Sequence, residues 1–262
     1  MYQRGIHFIL VLLCIPLIYT HSSANVSSVK VDPTSPQFYN RLHQAFKTSL
    51  QQDKVDYNQL KKSKSFYAFI ESLRDPLPPV ISTHAELAYW INAYNALTLF
   101  HVLNYWPNIS SVKTVVKGSK PYLFFKERVH KVAGKYRSLD DIEHLILRVK
   151  FADPRIHAAL NCASISCPPL RAQPYTAERI DQELNEQFAR FVNDSTRNDL
   201  DNTPPRLSKI FKWYEEDFST VGGVRRFIAK YISTSTQSRL LHASTFEYLP
   251  YNWNLNQVRI LQ

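Results

Sequence analysis

The stretch HAELAYWINAYNALTLFHVLNYW, residues 84–106, decides the fold of this chain. It contains neither glycine nor proline, and apolar side chains fall on nearly every side of the helix that it predicts. A helix that is apolar all round is buried, so we expect this one at the centre of the molecule. Its polar residues argue against a membrane span. Two of them, Asn92 and Asn95, lie one turn apart, and buried amides must be hydrogen-bonded, so they either stabilise the core or line a site.

The composition is that of a globular protein with a distinct beginning. Of 262 residues, 44% are hydrophobic and 21% are charged. At the start, Arg4 precedes the apolar run IHFILVLLCIPLIY, and the small residues Ser22 and Ala24 follow it. This pattern is typical of a secretory signal peptide, so we expect cleavage near Ala24 and export to the periplasm or the medium. The predicted boundaries are 1–24 for the signal peptide, 25–36 for a loose leader and 37–262 for one folded domain.

The charge and the motifs restrict the partners. The chain carries 32 Lys and Arg against 22 Asp and Glu, a net charge of +10. The basic residues are scattered, which speaks against nucleic-acid binding and favours a weak attraction to anionic cell-surface polymers. The sequence contains no HExxH, no paired CxxC motifs and no glycine-rich phosphate loop. We therefore predict no metal site and no cofactor, and the substrate, any protein partner and the oligomeric state stay unknown.

Helical and extended segments alternate along the remaining chain. The spacing of apolar residues predicts helices over 36–50 and over 175–194, the second with Thr176 as its N-cap. The alternating, valine-rich SVKTVVKG, residues 111–118, predicts a strand, and the stretch 153–161 predicts a short strand or turn. We therefore expect a single α+β domain, mostly helical, with a small antiparallel sheet.

Residues 127–150 predict a hairpin followed by a helix. The hairpin ERVHKVAGKYRSL turns at Gly134. Ser138 and Asp141 then have the spacing of a capping box. The apolar side of the helix that follows is expected at Leu139, Ile142, Ile146 and Val149. His144 points away from this apolar side.

The stretch RIHAALNCASISCPPLR, residues 155–171, holds the two cysteines that lie outside the predicted signal peptide. Cys162 and Cys167 are five residues apart in an irregular loop, so they can approach bonding distance, and an oxidising compartment permits the bond. The same stretch fits a nucleophile, because small residues after Cys162 leave main-chain N–H groups free to face an oxyanion. The sequence alone leaves both interpretations open.

Several separated motifs resemble, in this order, the pattern of the DUF547 family of uncharacterised proteins. The motifs are LAYWINAYNALT, LDDIEHLILR, DPRIHAALNCASISCPPLR, PYT, LSKIFKWYEEDF and YLPYNWNLN. The similarity runs from about Val55 to Asn256. The resemblance implies a compact domain, found in many exported bacterial proteins and as a module of larger eukaryotic chains, and it implies no substrate. Some relatives hold serine at the position of Cys167 and keep the cysteine at Cys162, and the usual ending has aspartate where this chain has Asn252.

Together the residues favour a thiol-dependent hydrolase or acyltransferase of the papain or transglutaminase type, acting on an amide or a thioester. Cys162 is the predicted nucleophile and His144 its base, with His157 the weaker candidate. The residues expected to orient the imidazole are Glu143, Asn92 and Asn95. The alternative is a non-enzymatic binding or scaffold module, in which a structural disulfide joins Cys162 to Cys167 and the buried asparagines only stabilise the core.

Overall fold

Helix α4, Thr83–Leu103, lies at the centre of the fold and confirms the helix predicted for this stretch. Ser82 caps it by accepting a hydrogen bond from the main-chain N–H of Ala85 at 3.2 Å. Side chains on all its sides are buried, those of Asn92 and Asn95 included. The helix is therefore surrounded by other elements, as its apolar composition requires.

The computed structural model describes residues 32–33, 35–115 and 123–258. All of them belong to one compact unit, Val31–Gln262. The predicted signal peptide and residues 25–31 of the predicted leader lie outside the described residues. No helix in the described part of the chain is long and apolar enough to cross a membrane.

The amino-terminal helices pack against one another and against α4. The elements are α1, Pro36–Ser49, β1, Leu50–Gln51, β2, Lys54–Val55, α2, Tyr57–Lys62, and α3, Lys64–Ser72. Helix α1 confirms the prediction for 36–50, and β1 and β2 form a short antiparallel pair after it. Ser63 separates α2 from α3, because its hydroxyl accepts the N–H of Phe66 and caps the second helix.

The predicted hairpin and capping box both form. The elements in this region are α5, Leu123–Lys126, β3, His130–Val132, and β4, Lys135–Arg137. Strands β3 and β4 pair antiparallel and turn at Gly134, whose φ of +75° favours glycine. The N–H of Asp141 donates to Ser138 Oγ and the N–H of Ser138 donates to the Asp141 carboxylate, each at 2.9 Å. These two bonds start the next helix.

That next helix, Asp141–Phe151, is a π-helix. Its hydrogen bonds join residues five apart, so its buried side differs from the side that an α-helical spacing predicts. Ile142 and Leu147 are buried, whereas Val149 is 71% exposed. The predicted apolar side is therefore wrong at Val149. Glu143, next to Ile142, lies inside the protein.

Two segments are more helical than predicted. Val112–Thr114 forms a turn of 3-10 helix where a strand was expected, and residues 116–118 of that expected strand lie outside the described residues. Ser111 accepts the N–H of Lys113, and such local bonds compete with strand pairing. The stretch 153–161, expected as a short strand or turn, contains the short helix α6, Ile156–Ala159.

Helix α7, Ile180–Val192, begins later than predicted. The residue before its first turn is Arg179, so the expected N-cap at Thr176 is wrong. Thr176 instead uses its main-chain N–H, which donates to the carboxylate of Glu183 at 2.9 Å. This bond gives the buried Glu183 a partner and ties the preceding loop to the helix.

The carboxyl-terminal part of the domain encloses a second aromatic core. Its elements are β5, Arg206–Leu207, α8, Lys209–Trp213, a 3-10 helix, Glu215–Val221, α9, Gly223–Ala229, α10, Thr234–His242, and β6, Glu247–Tyr248. The rings of Phe188, Phe211, Phe218 and Phe227 pack together at its centre. Strands β5 and β6 pair in parallel.

The described residues thus form a mostly helical α+β fold, as predicted. The strands are two or three residues long, and the β1–β2 and β3–β4 pairs are antiparallel as expected. The parallel β5–β6 pair was not expected from the sequence. The proposed likeness to papain or transglutaminase stays a prediction.

Candidate active site

A pocket of about 330 Å³ opens between α4, the π-helix, α6, α8 and the closing segment near Tyr251. Its polar wall includes Glu143, His144, His157 and Cys162. The aromatic part of its wall is formed by Tyr94, Trp213, Tyr214, Tyr251 and Trp253. A mainly apolar cavity of this size with a few convergent polar groups is typical of a small-molecule site. The fold therefore brings the predicted nucleophile, its predicted base and Glu143 into one cavity.

Cys162 and Cys167 form a disulfide in the loop after α6. Cys167 is buried, and Cys162 is half-buried in the pocket wall. The main-chain N–H of Cys162 donates to Cys167 Sγ at 2.9 Å, and the hydroxyls of Ser164 and Tyr251 lie 3.2 or 3.3 Å from both sulfur atoms. Burial raises the pKa of Tyr251, so this hydroxyl stays protonated at neutral pH and can donate to sulfur. The disulfide is therefore surrounded by donors.

The main chain is strained directly after Cys162. Ala163 is buried and has a φ of +61°, a left-handed conformation that costs a non-glycine residue about 1–2 kcal/mol. Asn161 holds it there, since its Oδ1 accepts the N–H of Ala163 at 2.9 Å and its Nδ2 donates to the carbonyl of Pro168 at 2.8 Å. Strain that the surroundings maintain in this way is concentrated at functional sites.

Asn95 and Asn92 both use their amides on the main chain. Asn95 Nδ2 donates to the carbonyl of Ala159 at 2.9 Å, and its Oδ1 accepts the N–H of Asn161 at 2.8 Å. Asn92 makes the same pair of bonds to Tyr175, at 2.7 and 3.0 Å. The prediction that these buried amides are hydrogen-bonded inside the protein is confirmed. Neither amide contacts a histidine among the described residues, so Asn95 positions the cysteine loop and the structure brings neither asparagine to an imidazole.

His157, the weaker candidate from the sequence, is buried in the pocket wall and has a carboxylate partner. Its Nε2 donates to Asp217 Oδ2 at 2.7 Å, and its ring stacks on Tyr214 with the centroids 3.9 Å apart. Arg148 donates to both oxygens of Asp217, at 2.6 and 2.7 Å. Burial alone would raise the pKa of Asp217, but the bonds from Arg148 and His157 outweigh it and hold that pKa well below its usual range. Asp217 is therefore a carboxylate that fixes the ring.

His144, the predicted base, is more exposed and has different partners. Its Nδ1 lies 3.1 Å from Nη1 of Arg148, and its Nε2 lies 4.0 Å from a carboxylate oxygen of Asp140. Its ring lies 6.3 Å from the ring of Tyr214. His144 thus shares the pocket with Cys162, while the polar contacts described for its ring run to Arg148 and Asp140.

Glu143 is buried and accepts two tyrosine hydroxyls. Tyr94 donates to Oε2 at 2.9 Å, and Tyr214 donates to Oε1 at 2.5 Å. Burial, helped by the charge of Glu143, raises the pKa of both tyrosines, so both hydroxyls stay protonated. The ring of Tyr214 stacks on His157. Glu143 therefore supports that imidazole indirectly, through its hydrogen bond with Tyr214.

Lys126 and Asp140 supply the other charges of the pocket wall. Burial is the largest influence on Asp140 and raises the pKa of its carboxyl, although the nearby His144 lowers it in part. No group of three or more His, Cys, Asp or Glu side chains within the described ranges is placed to hold a metal ion. The pocket therefore combines two sulfur atoms, which can undergo thiol chemistry when reduced, with acid–base groups that surround them.

The closing segment supplies an aromatic edge to the pocket. The rings of Trp213, Tyr251 and Trp253 lie 4.6–5.7 Å apart, and Trp213 is 45% exposed. Asn252 accepts the N–H of Asn254 at 3.0 Å in a local turn. Its own N–H donates to Ser166 at 2.9 Å, which ties the closing segment to the cysteine loop. The structure therefore gives Asn252 a local structural contact.

The sequence did not point to Asp217, and it gave His157 as the weaker of the two candidate bases. Asp217 lies in LSKIFKWYEEDF, one of the stretches that resemble the DUF547 pattern, and His157 lies five residues before Cys162 in another. Their 60-residue separation hides the pair from any spacing rule. The one signal in the sequence is that both residues fall inside these stretches.

The fold and this site define a mostly helical α+β protein with a cysteine-containing pocket. The family described as "Protein of unknown function, DUF547" matches residues 79–192, which confirms the predicted family for this part of the chain. The match covers α4, the π-helix, α6, the cysteine loop and α7. A search of curated proteins and a search of solved structures found no match to the chain.

Proposed function

We propose that the protein is a thiol-dependent hydrolase or acyltransferase that acts on an amide or a thioester, with Cys162 as its nucleophile. The observation that carries the proposal is that Cys162 shares one pocket with His144 and His157. A thiol becomes an effective nucleophile when a neighbouring base removes its proton. The sequence favours His144 as this base, and the residues of the same pocket supply His157 as a second candidate.

Reduction of the disulfide releases the nucleophile. A dithiol reductant supplies the two electrons: one of its thiolates attacks a bridge sulfur, and the other bridge sulfur leaves as a thiolate. The second thiol of the reductant then closes its own disulfide and releases the remaining cysteine, so both cysteines end as thiols with protons from the reductant. Cys167 suits the leaving role, because its Sγ accepts the main-chain N–H of Cys162.

The reduced site then works by acyl transfer. The base takes the proton of Cys162, the sulfur attacks the carbonyl carbon, and the proton passes to the departing amine or thiol. The acyl group is left as a thioester on Cys162. Attack by water completes hydrolysis, and attack by an amine completes transfer. In both cases the thiol is regenerated.

A non-enzymatic binding or scaffold module is the second candidate, and the disulfide itself favours it. In this alternative the bridge is permanent and Ser164 and Tyr251 only brace it. A bridge across five residues closes a short loop, which by the chain-entropy argument stabilises less than a long one. The scaffold therefore predicts a modest loss of stability on reduction and no chemistry at Cys162.

Mass spectrometry of the purified full chain separates the two candidates. Without reductant, neither Cys162 nor Cys167 should react with iodoacetamide. After dithiothreitol both should react, with Cys162 much the faster at pH 7. The reduced protein should also hydrolyse an acetyl thioester of cysteamine. Peptide mapping distinguishes label on Cys14 from label on Cys162 and Cys167.

Matched serine variants complete the test. Cys162→Ser should abolish thioester hydrolysis, whereas Cys167→Ser should retain it and make it independent of reductant. Equally slow labelling of both thiols at pH 7, together with unchanged hydrolysis in Cys162→Ser, contradicts the enzyme and leaves the scaffold.

Export is part of the same proposal, since an oxidising compartment would keep the disulfide closed. It is supported by the signal-like pattern of residues 1–24. Protein recovered from its host should begin near residue 25 when its amino terminus is sequenced. Recovery of the uncleaved chain from the cytosol contradicts export.

A further inference from the structure

The two pocket histidines differ in which ring nitrogen has a free lone pair. A neutral imidazole has one N–H and one acceptor nitrogen. In His144 the acceptor is Nδ1, because Arg148 can only donate and lies 3.1 Å away. In His157 the N–H is on Nε2, which donates to Asp217, so the lone pair is on Nδ1. That nitrogen is buried and has no hydrogen-bond partner among the described residues.

We infer that His157, held by Asp217, is the base that takes the proton of Cys162. In the disulfide form Cys162 Sγ is not hydrogen-bonded to His157. Once reduction frees Sγ to rotate towards Nδ1, the proton passes from Sγ to Nδ1. This step leaves a thiolate and an imidazolium whose Nε2–H stays hydrogen-bonded to Asp217. This inference rests on the proposed function, because it assigns a role within thiol chemistry. His144, with its lone pair already used by Arg148, would have to break that bond to accept a proton.

The surroundings of His157 fix its ring from two sides. Asp217 is itself held by two bonds from Arg148, so its oxygen cannot turn away from Nε2. The second constraint on His157 is the ring of Tyr214, which stacks on the imidazole with the centroids 3.9 Å apart and is held by its hydrogen bond to Glu143. A base fixed by a carboxylate in this way keeps the correct tautomer and stabilises the imidazolium that forms.

The main chain between His157 and Cys162 is also fixed. Asn95 binds both the carbonyl of Ala159 and the N–H of Asn161, the residue before the nucleophile. Gln187 donates to the carbonyl of Ala158 at 3.0 Å. The base and the nucleophile are therefore carried by one short, braced segment that lines a single pocket.

The groups that influence a pH profile at this site are few. Asp217, Arg148 and Tyr214 face His157, and Tyr251 faces Cys162. The remaining charged or titratable groups on the pocket wall are Tyr94, Lys126, Asp140, Glu143 and His144. A test must therefore separate His157 from His144, which shares the wall and contacts the same arginine.

The experiment measures the pH dependence of iodoacetamide labelling at Cys162 in a Cys167→Ser parent, which cannot form the bridge. In the parent, labelling at pH 6.5 should stay within about threefold of its rate at pH 9. In His157→Gln it should fall roughly a hundredfold at pH 6.5, as for an ordinary thiol. Glutamine keeps a donor for Asp217 and removes the lone pair of Nδ1. His144→Gln is the comparison variant, and its labelling rate at pH 6.5 should fall much less than that of His157→Gln.

Each result decides a different question. A hundredfold fall in His144→Gln, or equal falls in both variants, overturns the assignment to His157 while the thiol chemistry stands. A hundredfold fall in the parent itself refutes the proposed function. Circular dichroism checks that His157→Gln is folded. If it is not, Asp217→Asn takes its place, and a profile identical to that of the parent overturns the inference.

Discussion

Two pairs of histidines in this molecule lie close to aromatic rings, and they differ in their polar partners. His101 and His130 lie in the core, their ring centroids 4.9 Å apart, and His101 also packs on Phe124 at 4.5 Å. Neither nitrogen of His101 has a hydrogen-bond partner in the described part, and the same holds for Nε2 of His130. His144 and His157 line the pocket, where arginine and carboxylate groups contact them.

The comparison teaches that a buried imidazole without polar partners stays neutral and only packs, whereas an imidazole with polar partners has a fixed tautomer. In the core, burial lowers the pKa of His101 to about 4 and that of His130 to about 3, so both rings stay neutral and serve as aromatic filling. In the pocket, Asp217 and Arg148 fix the tautomer of each ring. Of the two pairs, the pocket pair is the one in which polar partners fix the direction of a lone pair or an N–H.

The largest expected effect is a loss of stability in mild acid that comes from His101 and His130. Their folded-state pKa values lie below the unfolded value of about 6.5, so the unfolded chain binds more protons between these limits. The stability that the two neutral histidines contribute is complete above about pH 6.5 and is lost as the pH falls towards their folded-state pKa values. From pH 7 to pH 5 the two histidines together should lower the free energy of unfolding by on the order of 4 kcal/mol.

Urea unfolding at pH 7 and at pH 5 measures this loss. The variant His101→Phe/His130→Phe keeps aromatic rings in the cluster and should lose most of the pH dependence, while each single variant should lose about half. A double variant with the same pH dependence as the parent contradicts the role given to the core pair.

A smaller effect is expected from the partners of the pocket pair. Asp217→Leu leaves Arg148 without its two acceptors and His157 without its carboxylate, and should cost about 2 kcal/mol. The cost stays at this level because Arg148 and Asp217 keep 25% and 22% of their side chains exposed, so water replaces part of the lost contact. Arg148→Met should cost a similar amount.

A double-mutant cycle by urea unfolding at pH 7 checks that prediction. Asp217→Leu/Arg148→Met should cost about 1–2 kcal/mol less than the sum of the two single variants, because the second change removes a charge already left unpaired. Costs that simply add would mean that the salt bridge does not contribute to stability.

The sequence predicts the core side of this comparison better than the pocket side. Helix α4 follows from its unbroken apolar composition, and the need of Asn92 and Asn95 for internal partners follows from their burial. These are local properties. The capping box at Ser138 is local too, since its two residues lie three apart.

The pocket depends on contacts that no local pattern carries. Asp217 meets His157 across 60 residues, and Glu143 reaches Tyr214 across 71. The π-helix adds a further difficulty, because a period of 3.6 residues assigns the wrong side to Val149. The sequence identifies Cys162, His144, His157 and Glu143 as candidates, but Asp217 and the pairing of these residues required the fold.

The smallest effect is expected from the two hydroxyls on Glu143, and it separates hydrogen bonding from ring stacking. Tyr214→Phe and Tyr94→Phe each remove one donor to this carboxylate and should each cost about 1 kcal/mol in the free energy of unfolding. Of these two tyrosines, only Tyr214 stacks on His157, so Tyr214→Leu should also reduce the ring-current shift of the His157 ring protons in NMR spectra.

Tyr94→Phe is the control, since Tyr94 contacts Glu143 without stacking on His157. It should leave those shifts in place, as should Tyr214→Phe, which keeps the aromatic ring. A shift lost in Tyr214→Phe as well would show that the hydroxyl bond to Glu143 holds the stack together. Hydrogen bonds would then support the pocket imidazole on both sides, in contrast to His101, whose ring has aromatic contacts and no hydrogen-bond partner among the described residues.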